Sequence, residues 1–334
     1  MSRRAIELSV LALVLVATIL VYVGRRNDWF GTLHFSTSVS VLVIVLMAGG
    51  MLWVLARTIQ GHPAERRVVF LYIGIAVSLP LFMSLSQTIS ISPETKELMA
   101  GLEPLPPGSK VLVTFDYDPS SAPELQPMAE TFFRWAFDRR YKVIVMGLWP
   151  QGPQQANMAL DLVLADEKYK AMNLQYGTDY VNLGFQSGNE FVIQRIGSDF
   201  QSMFRVDFFG TPYDQLPLVK NVKNFSNIDY SFNLSAGYPG TREWVLIAVD
   251  RYGLKMGAGN TAVQTTGMYP YVRSGQLLGI LGGMNGAAEF EAVTGYLGKG
   301  TRFMLSQSFA HMIVIAFIII GNVAYFRLER KRKK

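Results

Sequence analysis

The sequence contains no cysteine and only three histidines in 334 residues. Without cysteine there are no disulfides, no thiolate nucleophile, no cysteine-ligated zinc and no thioether-attached haem. The histidines, His34, His62 and His311, all lie outside residues 110–304. That removes a Ser–His–Asp triad and a histidine-held metal from this long, more polar region. General acid–base work there would fall to carboxylates, lysine or tyrosine. Charge is also scarce, at 17% of residues, and the formal net charge of +6 misleads. Residues 90–304 carry 18 basic and 21 acidic side chains, whereas the flanks and short loops carry 13 and 4. The positive balance belongs to membrane-flanking segments, and no basic stripe suited to nucleic acid is present. Phosphate-binding fingerprints are missing as well. No G-x-G-x-x-G follows the first strand, and GYLGKGT (295–301) lacks the spacing of a P-loop.

What is abundant is apolar sequence: half of the residues are hydrophobic, and the mean hydropathy is +0.21. Four runs, 5–24, 38–56, 68–87 and 305–326, are each long enough to cross a hydrocarbon core of about 30 Å. They predict four transmembrane helices. The first has the basic start of a signal peptide but no small-residue cleavage pattern, so it reads as an uncleaved anchor. Arg3 and Arg4, Arg57, Arg66 and Arg67, and the six basic residues of the tail 327–334 fall on one side of a four-span arrangement. By the positive-inside rule that side is the cytoplasm. The expected localisation is the cell membrane, with cytoplasmic termini and the large domain outside the cytoplasm.

Residues 90–109, rich in proline and glycine, read as a linker. The pattern then alternates. Runs 110–115, 142–149, 179–186, 227–234 and 254–266 read as strands, and 122–140, 152–172, 190–204 and 240–252 as helices. VRSGQLLGILGGMNGAAEFE (272–291) reads as a closing helix that starts near Pro270 and Ser274. It would carry Gly275, Gly279 and Gly283 on one stripe, with Gly286 beyond. Glycines so spaced predict close packing, against the domain's own sheet or against a partner. The whole of 110–304 reads as a doubly wound, mostly parallel α/β domain of Rossmann or flavodoxin type. Segment 209–226 breaks the rhythm and reads as a surface excursion or irregular crossover.

Ligands of such sheets gather at the carboxyl ends of the strands. Asp116, Asp118, Gln151, Asn182 and Gln186 are the polar residues expected there, and they form the candidate cleft. Asp116 and Asp118, closing the first strand, resemble the Asp-x-Asp of the haloacid dehalogenase phosphatases, whose first Asp is a nucleophile beside Mg²⁺. That family's Ser or Thr at the second strand end and its later acidic pair are not matched here. The competing reading is that Asp118–Pro119 opens a turn and caps the next helix. No catalytic residue, cofactor or firm metal ligand emerges; Asp116 and Asp118 are the only metal candidates.

Three segments, VTFDYDPSSAPELQPMAE, TDYVNLGFQSGNE and YPYVRSGQLLGILGGMNGAAEFE, resemble an uncharacterised family of bacterial multi-pass membrane proteins. The resemblance implies a recurring unit over most of 110–326 and carries no activity, so no site residue transfers from it. Three functions are then expected. The first is a non-enzymatic, membrane-anchored assembly or scaffold subunit whose partners are the bilayer and other membrane proteins or further copies of itself. The second is an extracytoplasmic ligand-binding, sensory or transport-accessory domain. The third is a Mg²⁺-dependent phosphatase-like enzyme using Asp116 and Asp118.

Overall fold

Strand β1 (Lys110–Asp116) lies at the middle of a parallel sheet of six strands. The computed structural model describes residues 37–62, 65–78 and 88–332. They divide into two compact units, Gln87–Met304 and the combination of Met1–Ser86 with Leu305–Lys334.

In the first of these, the strands are β1, β2 (Lys142–Gly147), β3 (Tyr180–Phe185), β4 (Tyr230–Ser235), β5 (Met256–Asn260) and β6 (Ile280–Gly282). Their spatial order is β3-β2-β1-β4-β5-β6, and every neighbouring pair is parallel. The chain winds outward from β1 to β3, returns to β4 and winds outward again to β6. β1 is buried on both faces, which explains its nearly unbroken apolar sequence. Val111, Val113 and Phe115 join one core, and Leu112 joins the other with Ile144 and Met146.

Helices cover both faces. They are α3 (Pro93–Leu102), α4 (Ala122–Asp138), α5 (Gly152–Leu164), α6 (Glu167–Ala171), α7 (Glu190–Ser198), α10 (Ala262–Arg273) and α11 (Gly283–Thr294). Between β4 and β5 one helical stretch comprises α8 (Thr241–Trp244), a π turn (Val245–Val249) and α9 (Asp250–Tyr252). The apolar face of α4 packs through Phe132, whose ring stacks on Phe232 of β4 with centroids 4.6 Å apart.

The other unit holds α1 (Thr37–Ile59), α2 (Arg66–Ser78) and most of α12 (Lys299–Arg332). Two helical segments, Ser40–Ile59 and Lys299–Arg327, are long and apolar enough to cross a membrane. Their large side chains, such as Leu46, Trp53, Ile315 and Ile319, point outward rather than into a protein core. Gly50 leaves room for the Tyr72 ring of α2, which in turn meets Phe317 of α12 edge-on at 5.8 Å. The expected span 5–24 lies outside the described residues. Of the span 68–87, residues 68–78 are helical within α2 and 79–87 lie outside the described residues.

Several sequence expectations need correction. The supposed linker 90–109 contains α3, started by Pro93 with Ser92 capping the Thr95 amide. The strand expected over 254–266 stops at Asn260, and residues 262–273 form α10 instead. The closing segment is not one helix. Pro270 lies inside α10, and Ser274 follows its end. Gly275 turns with φ +76°, Gly279 takes φ +101°, β6 follows, and α11 begins only at Gly283. The glycines therefore do not share a helix stripe. A Cβ at Gly279 would sit 2.2 Å from the backbone nitrogen of Leu98, so this glycine admits α3. Gly283 faces Ala262 and Glu124, and Gly286 packs on the backbone of Leu281. Close approach is real at these three, and it is to the domain itself; nothing lies within 4 Å of the Cβ position at Gly275.

Segment 209–226 is irregular, as read, but it is no mere surface excursion. Tyr213, Leu216, Val219, Val222 and Phe225 are buried in the core on its face of the sheet.

Candidate functional site

β1, β4 and β5 end side by side, and a buried polar network joins their ends. Asp116, the last residue of β1, is fully buried. Its Oδ1 accepts the Leu148 amide at 2.7 Å. Its Oδ2 accepts Asn233 Nδ2 at 2.7 Å and Trp244 Nε1 at 2.8 Å. Asn233 Nδ2 also donates to Thr114 Oγ1 at 2.6 Å, and Asn233 Oδ1 accepts the Thr241 hydroxyl. Thr241 accepts Asn260 Nδ2 at 2.8 Å. Burial pushes the Asp116 carboxyl up to about 7, although the bonds from Leu148, Trp244 and Asn233 pull the other way. Asp116 thus fastens the loop after β2, strand β4 and helix α8 to one point. With both oxygens engaged by protein donors and no exposure, it presents no open nucleophile.

The other candidates do not converge with it. Asp118 sits in the turn after β1, where its Oδ1 accepts the Ser120 hydroxyl and amide. The Ser120 hydroxyl bond, ahead of the others, lowers its carboxyl below the usual value. This is the turn geometry, although α4 begins without a side-chain cap. Gln151 is exposed before α5. Asn182 is buried, donating to Pro153 O and Asn157 Oδ1 and accepting the Gly184 amide. Gln186 is half-buried, and its amide pairs with Gly147 O. Trp149 crosses from the end of β2 to the loop after β4, where its Nε1 donates to Pro239 O at 2.8 Å. The five candidates thus have separate partners, and none of them lines the neighbouring cleft.

That cleft lies one step along the sheet, beyond the carboxyl ends of β4 and β5, and measures about 360 Å³. One wall is the loop after β4 and the start of α8: Gly237, Tyr238, Thr241, Arg242 and Glu243. The other is Asn260 with Gln264, Gly267, Met268 and Tyr271 of α10. Thr241 and Asn260 belong to the buried network, so the floor is held rigidly from beneath. The sequence did contain a signal. SAGYPGTRE (235–243) is a glycine-rich stretch between a strand and a helix at the ligand-binding end of the sheet. The other wall is hidden in the sequence, because the first residues of α10, 262–266, continue the strand-like pattern that begins at 254.

A second feature is the exposed aromatic rim at the end of edge strand β3. Phe185, Phe191, Val206, Phe208 and Phe209 are exposed, with Phe191 and Phe209 each 65% accessible. The Phe208 and Phe209 rings meet edge-on at 5.3 Å, and Phe209 meets Tyr176 at 5.2 Å. The Phe208 amide donates to Asn182 O, tying this loop to β3. Tyr238, a wall of the cleft, donates its hydroxyl to Glu190 beside Phe191, linking α7 to the cleft.

No protein-family model matches the chain, no curated protein matches it, and no solved structure matches it.

Proposed function

We propose that the chain is a non-enzymatic assembly subunit of a membrane complex, anchored by four transmembrane helices and engaging a protein partner through its α/β domain outside the cytoplasm. The observation that carries this reading is the aromatic rim. Clustered exposed aromatics cost solubility unless they are covered, and such side chains dominate the energy of protein interfaces. A candidate nucleophile locked in hydrogen bonds, and a domain without histidine or cysteine, lend support. The test replaces Phe209 with a photo-crosslinking amino acid in the full-length protein, in membranes of the native host. A discrete crosslinked protein product, or a crosslinked dimer of the chain itself, is expected. No product from Phe209, or one unchanged when Phe191 and Phe208 are both alanine, overturns it.

The cleft after β4 and β5 favours a second reading, a ligand-binding or sensory domain. Its volume is in the range of small-molecule sites, and it occupies the end of a parallel sheet where ligands bind.

A further inference from the structure

Resting on the second reading above, we infer that the cleft between the loop after β4 and helix α10 binds a small zwitterion, the chemical class of free α-amino acids and short peptides. The inference comes from charge placement. Arg242 and Glu243 both line the cleft and are neighbours in sequence, yet they form no ion pair. Consecutive helical positions do not face each other, so the two charges reach the cleft from different directions. Glu243 is held in place: its Oε2 accepts the Gly240 amide at 2.9 Å. The exposed Arg242 guanidinium has no partner among the described residues. The cleft therefore offers a cation and an anion that do not neutralise each other.

A ligand with both a carboxylate and an ammonium group meets this arrangement on both sides. Guanidinium–carboxylate pairing is the stronger and more directional of the two contacts. The ligand's ammonium group would pair with the Glu243 carboxylate. Between the charged groups the walls are neutral. The Gln264 amide is one such group, and Gly267 has no heavy atom within 4 Å of its Cβ position, so the space beside it is open. Met268 is buried and apolar at the back. The floor of Thr241 and Asn260 is bonded within itself and down to Asp116 through Asn233, so the cleft is preorganised.

The experiment uses the full-length protein in lipid nanodiscs and follows thermal unfolding. The probes are each of the twenty amino acids and glycylglycine, with acetate and methylamine as single-charge controls. At least one zwitterion is expected to raise Tm in a saturable way, while acetate and methylamine at equal concentration do not. Arg242→Gln and Glu243→Gln should each weaken the apparent affinity at least tenfold and leave the unliganded Tm unchanged. Glutamine at 243 keeps an oxygen for the Gly240 amide, so that substitution removes charge without removing the cap. Gly267→Phe, placed in open space, should abolish the shift. A shift produced equally by acetate, or one insensitive to both glutamine variants, overturns the zwitterion assignment while leaving a ligand site standing. No shift with any probe overturns the zwitterion assignment and the ligand-binding reading together. Neither result bears on the aromatic rim.

Discussion

Thr301 donates twice to Glu291: its backbone amide and its hydroxyl both reach Oε2 at 2.7 Å. The same carboxylate accepts the Gly298 amide at 2.9 Å and the Gly300 amide at 2.7 Å, and it is almost fully buried. Glu291 of α11 thus caps the first turn of α12, where the amides would otherwise lack partners and where negative charge is favoured. Two residues earlier on α11, Glu289 takes the opposite end of the unit. Its Oε2 accepts the Ser92 amide and hydroxyl and the Thr95 hydroxyl at the start of α3. One short helix therefore fastens both the entry and the exit of the α/β unit through two carboxylates.

Replacing Glu291 by alanine should strip acceptors from three buried or half-buried amides. The expected loss is about 4 to 5 kcal/mol, since each such bond to a charged group contributes on the order of 1.5 kcal/mol. Denaturant unfolding of the full-length protein in detergent, followed by tryptophan fluorescence, checks this. A loss below about 1 kcal/mol would show that α12 starts without Glu291.

Asp116 should make stability depend on pH in an unusual direction. Its folded pKa, about 7, lies above the unfolded value. Below the unfolded pKa both states are protonated, and the group adds no pH dependence. As pH rises toward 7 the unfolded state releases its proton first, so the folded state is progressively disfavoured; above 7 the effect is constant. Across this window the group should cost roughly 4 kcal/mol. Asp116→Asn should lower stability at acid pH, because its amide faces the Leu148 amide, and should remove this component of the slope. The difference in Tm between wild type and variant, measured from pH 4 to pH 8, should therefore narrow as pH rises. A constant difference would contradict the raised pKa.

Two glycines of the closing segment should respond unequally. Gly279→Ala combines a left-handed backbone with a Cβ 2.2 Å from Leu98 N, a backbone atom of α3. Gly275→Ala meets the backbone penalty alone, because nothing lies within 4 Å. The second should cost about 1 kcal/mol and the first at least ~3 kcal/mol, read from unfolding midpoints. Equal losses would argue against the close passage of α3.

The absence of cysteine makes topology directly measurable, because a single introduced cysteine reports without background. Ser187→Cys, exposed beside the aromatic rim, should react in intact cells with a membrane-impermeant maleimide. A cysteine appended after Lys334 should react only after permeabilisation. Labelling in the reverse pattern would turn the proposed orientation over.

Much of the α/β architecture is legible in the amino-acid order. KVLVTF and KVIVMG are short β-branched runs, and the helical spacing of Leu125, Met128, Phe132 and Trp135 is clear between them. β6 was not legible. It has only three residues, and its glycines mimic a helix stripe because positive φ leaves no trace in a hydropathy pattern. α10 is hard to read in the sequence because Thr261–Thr266 is rich in threonine and continues from β5, whose Gly257 and Gly259 are required by close neighbours. A Cβ there would strike Leu98 and Tyr230, or Met128 and Leu234.

The sequence alone determined what local chemistry can determine: which segments are apolar enough for a bilayer, which alternate as strand and helix, and which reactive side chains are missing. Only the tertiary structure decided the fate of individual polar groups. Asp116 became a buried fastener because Asn233 and Trp244, more than a hundred residues away, donate to it. The cleft lies at β4 and β5, where the loop after β4 forms one wall and α10 supplies the other. Propensity and periodicity act over a few residues, whereas burial and hydrogen-bond partnership depend on which distant strands the sheet sets side by side.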